Sequence, residues 1–380
     1  MALIGTAGRR RGRKIGTAAA AIALAALMVV GGGRLLPGKA IGATLTERTP
    51  VLIDSDGGLD DLTALLMARQ IGCLDVRGIT ASFGVVPLPQ AARNLLSAAD
   101  WMERDWPVAL GAGASLDGRL LTQESRWGKT GLCGAALPPS GRSFDAHTAS
   151  DLLYDLAVEE GGRLQVVCLG PLTNLAVALR EHPDLAGRIA GVTLGAGLPL
   201  PEEGLDEEGE SAYWAAVAEG DYTLQADPAA LREVVESGIP LTVVPAPVQA
   251  EMAAVRQRDR DTISPLFQDL RETKPVYGQM LSFLKEQGST SDRVSLELGG
   301  VAVLAALTDE SAFSFLPADL QWRQGALAYA PAEGEGECRV AAALTAVTDE
   351  KYRRVSASGA GELIPVPQLY GTLEQTFRYW

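Results

Sequence analysis

The stretch from Val51 to Asp61 constrains the fold of this chain more than any other part of its sequence. An apolar run, Val51–Ile53, leads directly into a loop with two glycines and four aspartates, and an apolar helix-like run follows at residues 62–68. Strand, short loop and helix in this order form the unit of α/β folds, whose ligands bind at the carboxyl ends of the strands. We therefore expect the four aspartates to lie at such an end.

Strand-like and helix-like runs alternate along the chain from about residue 48. This alternation predicts an α/β fold with a mostly parallel open sheet and helices on both of its faces. The predicted strands are residues 51–53, 76–82, 106–110, 164–169, 189–194, 239–244, 320–329 and 339–347, and the predicted helices are residues 60–70, 90–103, 146–159, 172–181, 227–237, 292–307 and 367–380. Residues 199–220 are acidic and rich in glycine, which predicts a solvated loop, either a lid near a pocket or a surface insertion without a functional role.

Residues 1–43 differ from the rest of the chain and are predicted to be a targeting segment. Basic residues between Arg9 and Lys14 precede an apolar stretch from Ile15 to Val30, which is shorter than the roughly 20 residues that a membrane span prefers. The first interpretation is an export signal, with the protein outside the cell or in its envelope. The second is an uncleaved N-terminal membrane anchor. Residues 44–380 are then predicted to form one domain. Assembly of the protein into a homo-oligomer is left open as a possibility.

Charge limits the partners of this domain. The net charge of −14 argues against nucleic acid, because binding to phosphates needs a basic patch. We expect a small-molecule substrate instead.

The aspartates Asp54, Asp56, Asp60 and Asp61 would repel one another unless a cation lies among them. Residues two apart in a strand share a face, so Asp54 and Asp56 can point the same way. Asp60 and Asp61 would begin the helix, where the macrodipole favours negative charge. A hard divalent cation with oxygen ligands is predicted, Ca²⁺ before Mg²⁺. An acidic turn that only caps the helix is the alternative, although one aspartate is enough for a cap.

The run D-S-D-G-G-L-D-D at residues 54–61 resembles the D-x-D-P-G-x-D-D signature of the nucleoside hydrolases, with Gly57 in place of the proline. The run L-G-P-L-T-N at residues 169–174 is similar to a second strand-to-helix turn of that family. Three shorter similarities extend the resemblance over residues 48–380, namely Arg93-Asn94, Gly128-x-x-Gly131-Leu132 and Asp227-Pro228-x-Ala230. The resemblance implies the nucleoside hydrolase fold and a calcium-dependent hydrolysis of N-ribosyl bonds.

The resemblance also implies roles for single residues. Asp56 and Asp61 match the calcium carboxylates of the family, and Leu169 matches a position whose main-chain carbonyl binds the metal. Asp60 matches the general base that deprotonates the attacking water. Asp54 matches a neighbouring acid and is grouped with the substrate-binding residues.

Other predicted substrate contacts depart from the family pattern. Val85 follows Gly84 where the family usually has asparagine, and Trp127 stands where a His-Gly pair often begins. Asp221 and Thr223 stand at the first and last positions of a ribose-binding Glu-Phe-Asn motif.

A late helix shows a further departure. Leu298-Gly299 stands where the family has a His-Asp pair, whose His helps to protonate the leaving base and whose Asp is the last metal ligand. We group Leu298 with the substrate contacts. Glu297 is the nearest acid and is a candidate substitute ligand.

These losses remove polar groups, so the site is expected to favour a ligand less polar than a nucleoside, because unpaired buried polar groups are costly. Three hypotheses follow: a divergent calcium-dependent N-ribosyl hydrolase, a repurposed enzyme for another sugar or an apolar small molecule, and a non-catalytic binding protein. A haloacid-dehalogenase-type phosphatase is a fourth, since residues 54–57 read D-x-D-G. That hypothesis leaves Asp60 and Asp61 unexplained.

Overall fold

The computed structural model describes residues 48–200, 206–255, 294–295, 299–308 and 313–344. The strands are β1 Thr49–Ser55, β2 Leu74–Ala81, β3 Val108–Leu110, β4 Gln165–Cys168, β5 Gly191–Gly195, β6 Leu198–Pro199, β7 Leu241–Val244, β8 Ala254–Val255, β9 Val294–Ser295, β10 Phe313–Arg323, β11 Ala326–Pro331 and β12 Cys338–Leu344. The helices are α1 Leu59–Gln70, α2 Leu88–Trp101, α3 Glu124–Trp127, α4 Ala149–Glu159, α5 Thr173–Glu181, α6 Glu207–Gly220, α7 Tyr222–Ala226, α8 Pro228–Val235, α9 Ala246–Ala253 and α10 Gly299–Thr308.

Several predictions fall outside the described residues. They are the targeting segment, the helix at residues 367–380 and residues 292–293 and 296–298 of the helix predicted at residues 292–307. The start of that helix is also corrected, because Val294 and Ser295 form β9, which pairs with β8, and the described helix is Gly299–Thr308. Export and the membrane anchor stay predictions. Within the described ranges, no helix combines the length and the apolar character that crossing a membrane requires.

Ten of the described strands form one sheet, in the order β3-β2-β1-β4-β5-β7-β12-β10-β11-β6. Seven of its nine strand pairings are parallel, and only those of β10 with β11 and with β12 are antiparallel. The predicted mostly parallel sheet is confirmed.

The position of β1 in this order fixes where a ligand can bind. After β1 the chain passes through α1 to β2 on one side, whereas after β4 it passes through α5 to β5 on the other. Connections that leave two neighbouring parallel strands in opposite directions open a crevice at the carboxyl ends of those strands. The acidic loop after β1 and the turn after β4 border this crevice.

Helices cover both faces of the sheet, as predicted. Val51 and Ile53 point to one face and pack in a core with residues of α1, α2 and α10, whereas Leu52 points to the other face and packs with residues of α4, α5 and α8. This alternation follows from the period of two in a strand. With one core on each side, β1 is buried, and its carboxyl end holds the aspartates firmly.

The prediction of a loop over residues 199–220 is wrong, because residues 207–220 form the helix α6. The acids Glu207, Glu208 and Glu210 lie in its first turn, where the helix dipole favours negative charge. Trp214 is buried, and the Tyr213 hydroxyl donates a hydrogen bond to the Pro199 carbonyl oxygen at 2.7 Å. The acidic composition that suggested a solvated loop therefore belongs to the exposed start of a packed helix.

The predicted single strand at residues 320–329 is also corrected. It is the hairpin of β10 and β11, joined at Gln324-Gly325, where both residues have positive φ angles of 47° and 84°. Two such residues form the tight turn that suits the twist of an antiparallel pair.

Candidate active site

Two glycines shape the loop between β1 and α1. Gly57 has a φ of 68°, which proline cannot adopt because its ring fixes φ near −65°. The loop therefore departs from the family signature in backbone conformation as well as in sequence. The Asn94 amide nitrogen holds the loop by donating hydrogen bonds to the carbonyl oxygens of Gly57 at 2.9 Å and Thr130 at 2.7 Å.

Asp61 lies in the first turn of α1 and is buried at the base of this loop. Its Oδ2 accepts hydrogen bonds from the Ser55 hydroxyl at 2.6 Å and from the Asp56 main-chain nitrogen at 3.1 Å. Its Oδ1 faces the start of α10, where a Cβ built on Gly300 would lie 3.0 Å away. Burial, and then the charges of Asp56 and Asp60, raise the pKa of Asp61 well above its usual value.

Asp56 is held by main-chain donors from two elements. The Val85 nitrogen donates to its Oδ2 at 2.9 Å, and the Gly58 nitrogen donates to its Oδ1 at 3.2 Å. Burial first, and the Asp60 charge second, raise the pKa of Asp56 to about 7. Gly84 is required beside it, because a Cβ at that position would overlap the Asp56 carboxylate.

Asp60 is only half-buried, unlike Asp56 and Asp61. A Cβ built on Gly58 would lie 3.1 Å from its Oδ1, and one built on Gly299 would lie 3.5 Å from its Oδ2. The carboxylate thus lies between the acidic loop and the start of α10. Of the three clustered acids, it is the most accessible for exchanging a proton with water.

Asp54 lies at the end of β1 and is almost fully buried. Its Oδ1 accepts hydrogen bonds from the Thr80 hydroxyl at 2.5 Å and from the Asn174 amide at 2.7 Å, while its Oδ2 has no partner among the described residues. Burial raises the pKa of Asp54 to about 6. Asn174 also bonds Ala81 and Ala112, and therefore ties α5 to β1 and to the ends of β2 and β3.

The predicted carbonyl ligand lies beside this cluster. The Leu169 nitrogen donates to the Asp54 carbonyl oxygen at 2.8 Å. A Cβ built on the next residue, Gly170, would lie 3.1 Å from the Asp56 Cβ and 3.3 Å from the Ser82 Oγ. The fold therefore brings the two motifs at residues 54–61 and 169–174 to one place, as their positions after neighbouring parallel strands predict.

The electrostatics of the cluster suit a cation. The groups that shift the pKa values of Asp56 and Asp61 are other carboxylates and hydrogen-bond donors of the described residues, with no lysine, arginine or histidine among them. Carboxylates packed this closely, with no positive group shifting the pKa values of Asp56 and Asp61 among the described residues, fit a hard metal ion with oxygen ligands. No set of three or more His, Cys, Asp or Glu side chains in the described ranges has the geometry of a metal site. A cation here would need oxygen atoms of other kinds besides the carboxylates of Asp56 and Asp61.

Val85 and Trp127 lie in the apolar core beside the acids. The Val85 main-chain nitrogen binds Asp56, and its side chain packs against Gly58 and Gly131. The Trp127 ring is buried, and its indole nitrogen donates to the Gln123 side chain at 2.9 Å. Their predicted contact with a substrate stays a prediction.

Asp221 and Thr223 hold α7 in place. The Asp221 carboxylate caps α7 through the Leu224 nitrogen and also accepts a hydrogen bond from the Gly197 nitrogen. The Thr223 hydroxyl donates to the Gly195 carbonyl oxygen at 2.8 Å. Both side chains therefore make structural hydrogen bonds, and their predicted role as ribose contacts stays a prediction.

The residue between them, Tyr222, was not predicted as a site residue. Its hydroxyl is buried without a hydrogen-bond partner among the described residues. Burial, followed by the charges of Asp56, Asp61 and Asp60, raises its pKa, so the hydroxyl lies within electrostatic reach of the whole cluster. Its place at the middle of the segment similar to the Glu-Phe-Asn motif was the one sequence signal, but the side-chain direction at a helix start depends on how the helix is anchored. The two remaining predicted residues, Glu297 and Leu298, lie outside the described residues.

Comparison with known proteins identifies the relatives of this site. Residues 51–355 match the family model described as inosine-uridine preferring nucleoside hydrolase. The chain belongs to this family. Its members are hydrolases of ribosyl bonds, and the match includes every aspartate of the cluster.

Two sequence relatives agree with this membership. The pyrimidine-specific ribonucleoside hydrolase RihA of Salmonella paratyphi B is 32% identical over 222 residues, which cover 57% of this chain and 67% of the relative. The RihA of Salmonella paratyphi A is 33% identical over 195 residues, covering 51% of this chain and 59% of the relative.

Solved nucleoside hydrolase structures share the fold. A purine-preferring ribonucleoside hydrolase from Gardnerella vaginalis aligns with a TM-score of 0.66 at 19% identity, covering 86% of this chain and 98% of its own. An inosine-guanosine nucleoside hydrolase aligns with a TM-score of 0.65 at 21% identity, covering 87% and 99%. The fold expected from the resemblance is thus confirmed.

Proposed function

We propose that this nucleoside hydrolase family member is a calcium-dependent hydrolase of N-ribosyl bonds, adapted to a riboside less polar than the common nucleosides. The observation that carries the proposal is the buried cluster of Asp56 and Asp61 with the half-buried Asp60, at the crevice between β1 and β4.

The chemistry follows from the different positions of these acids. Asp60, the most accessible, accepts a proton as a water oxygen bonds to the anomeric carbon and the carbon–nitrogen bond breaks, with its electron pair leaving on the base. The sugar carries positive charge in this transition state, and the nearby carboxylates stabilise it. Bound Ca²⁺, held by Asp56, Asp61 and the Leu169 carbonyl, would make the water easier to deprotonate and orient the sugar hydroxyls.

Preference for a less polar substrate rests on the scarcity of asparagine and histidine side chains that could contact it. The chain has two asparagines, and the amide nitrogens of Asn94 and Asn174 each make two hydrogen bonds to the protein. Its two histidines are also engaged elsewhere, since His147 contacts Asp145 at 2.7 Å and His182 stacks on Tyr154. No histidine is therefore placed to protonate a departing base, and leaving groups that need no protonation are favoured.

A panel of ribosides tests the proposal. Purified protein with calcium is incubated with inosine, uridine, cytidine and p-nitrophenyl riboside, and free ribose is measured. We expect release of ribose, fastest from p-nitrophenyl riboside, whose leaving group departs as a stable anion. Tight binding of ribosides without any release would support the alternative, a non-catalytic or repurposed protein that binds a small molecule.

Tyr222→Phe is expected to separate activity from stability. The change removes an unpartnered buried hydroxyl, so stability should stay the same or rise, because such a group costs about 1–3 kcal/mol. A hydroxyl that donates a hydrogen bond to the bound riboside contributes about 1 kcal/mol, so kcat/KM should fall about 5- to 10-fold. Both quantities are measured beside Tyr154→Phe, the same change on α4. An unchanged kcat/KM in Tyr222→Phe would contradict the proposal that the Tyr222 hydroxyl donates a hydrogen bond to the bound riboside.

A further inference from the structure

We propose that the side-chain carbonyl oxygen of Gln249, on α9, is a ligand of the cation held by Asp56 and Asp61. This inference rests on the proposed function, since it assigns a residue to the calcium site of that function. Nothing in the local sequence around Gln249 suggests the role, because the residue reaches the site only through the packing of α9 against α10.

The orientation of the Gln249 amide is fixed by a main-chain group. Its Nε2 donates a hydrogen bond to the Val244 carbonyl oxygen at 2.8 Å. A carbonyl oxygen accepts only, so the NH₂ group must face Val244, and the oxygen Oε1 must point away from it. The amide therefore presents an oxygen, and not a donor, on its other side.

That oxygen faces the acidic cluster across the first residue of α10. A Cβ built on Gly299 would lie 3.0 Å from the Gln249 Oε1 and 3.5 Å from the Asp60 Oδ2. A Cβ on the next residue, Gly300, would lie 3.0 Å from the Asp61 Oδ1. Since neither residue has a side chain, the start of α10 leaves open the space that these three oxygens border.

Glycine at the end of β5 makes the approach possible. A Cβ on Gly195 would lie 2.6 Å from the Gln249 Nε2, which is too close for an ordinary contact. Gly195 and Gly299 thus give the Gln249 amide room, and Gly300 does the same for the Asp61 carboxylate.

Oxygen acceptors that border one space are stabilised by a cation bound between them. An ionised carboxylate and an amide carbonyl are both acceptors, so they cannot hydrogen-bond to each other. Ca²⁺ binds six to eight oxygens and readily includes amide carbonyls among them. Gln249 supplies such an oxygen to a site in which no set of three acid, histidine or cysteine ligands was found among the described residues.

Calcium titration of the purified, calcium-free full chain tests the inference. Affinity is measured by calorimetry with Ca²⁺ alone, and independently by the luminescence of bound Tb³⁺. We expect Gln249→Leu to bind Ca²⁺ at least 10-fold more weakly than the wild type. Gln165→Leu is the matched control. Gln165 is also a half-buried glutamine, but it lies at the amino end of β4, whereas the acids lie at the carboxyl ends of the strands. The Gln165→Leu variant should bind Ca²⁺ as the wild type does.

Gln249→Glu keeps the size of the side chain, adds a negative charge and loses the donor to the Val244 carbonyl oxygen. It should bind Ca²⁺ more tightly than the wild type if its oxygen touches the ion, and it remains informative if the leucine variant does not fold. Equal affinities in wild type, Gln249→Leu and Gln249→Glu would overturn the role of Gln249 and leave the proposed function standing. Absence of calcium binding in the wild type, together with a chelator-insensitive hydrolysis, would overturn the calcium site itself.

Discussion

Asp60→Asn should lower the hydrolysis of p-nitrophenyl riboside by about 10²–10⁴-fold, the usual contribution of a general base. Asparagine keeps the shape of the side chain but cannot take up the proton of the attacking water. Asp60 is only half-buried, so the melting temperature of the calcium-loaded protein should hardly change. The measurement is the initial rate of nitrophenolate release at saturating calcium.

A matched control separates this effect from a general loss of charge. Asp105→Asn makes the same change at an exposed position and should leave the rate unaltered. Equal turnover by wild type and Asp60→Asn would remove Asp60 from the chemistry. Loss of activity together with a collapsed melting temperature would show a structural role instead.

Calcium-free protein should become less stable as the pH rises from about 4 to about 7. Burial raises the pKa of Asp54 to about 6, and burial together with the charge of Asp60 raises the pKa of Asp56 to about 7, from an ordinary value of 3.8. Between these values the folded protein binds more protons than the unfolded chain, so raising the pH favours unfolding. The expected loss is on the order of a few kcal/mol, since one pKa unit corresponds to about 1.4 kcal/mol.

Calcium should remove most of this dependence of stability on pH, because a cation stabilises the charged carboxylates and binds only the folded protein. Melting temperatures at pH 5 and pH 7.5, with and without millimolar calcium, test both parts. Asp56→Asn takes one buried charge away and should flatten the profile of the calcium-free protein. A calcium-free protein more stable at pH 7.5 than at pH 5, or unaffected by calcium at pH 7.5, would contradict the prediction.

Much of the fold could be predicted because its signals are local. The apolar run of β1, the aspartates that follow it and the alternation of strands with helices each depend on neighbouring residues only. Their meeting at one edge of the sheet follows from parallel strand order, which the same alternation implies. The prediction failed at α6, whose acidic first turn hides an apolar face, and at the hairpin of β10 and β11, whose turn lies inside an apolar stretch.

Details of the site were harder to predict because they depend on distant contacts. Asp221 and Thr223 align with polar residues of a ribose-binding motif, yet their side chains bind the protein main chain and leave Tyr222 near the acids. Gln249 reaches the site from a helix that carries no motif at all. Side-chain direction in both cases depends on how two helices pack at the end of β5, and a single sequence does not contain that information.

The rate of riboside hydrolysis before calcium removal, after removal and after calcium is restored tests the central claim most directly. All three rates are measured on one preparation, with bound calcium quantified in parallel. We predict that activity disappears as calcium is removed and returns in proportion to the calcium bound again. A rate unchanged by full removal of calcium, or no hydrolysis of any riboside in the calcium-loaded protein, would contradict it.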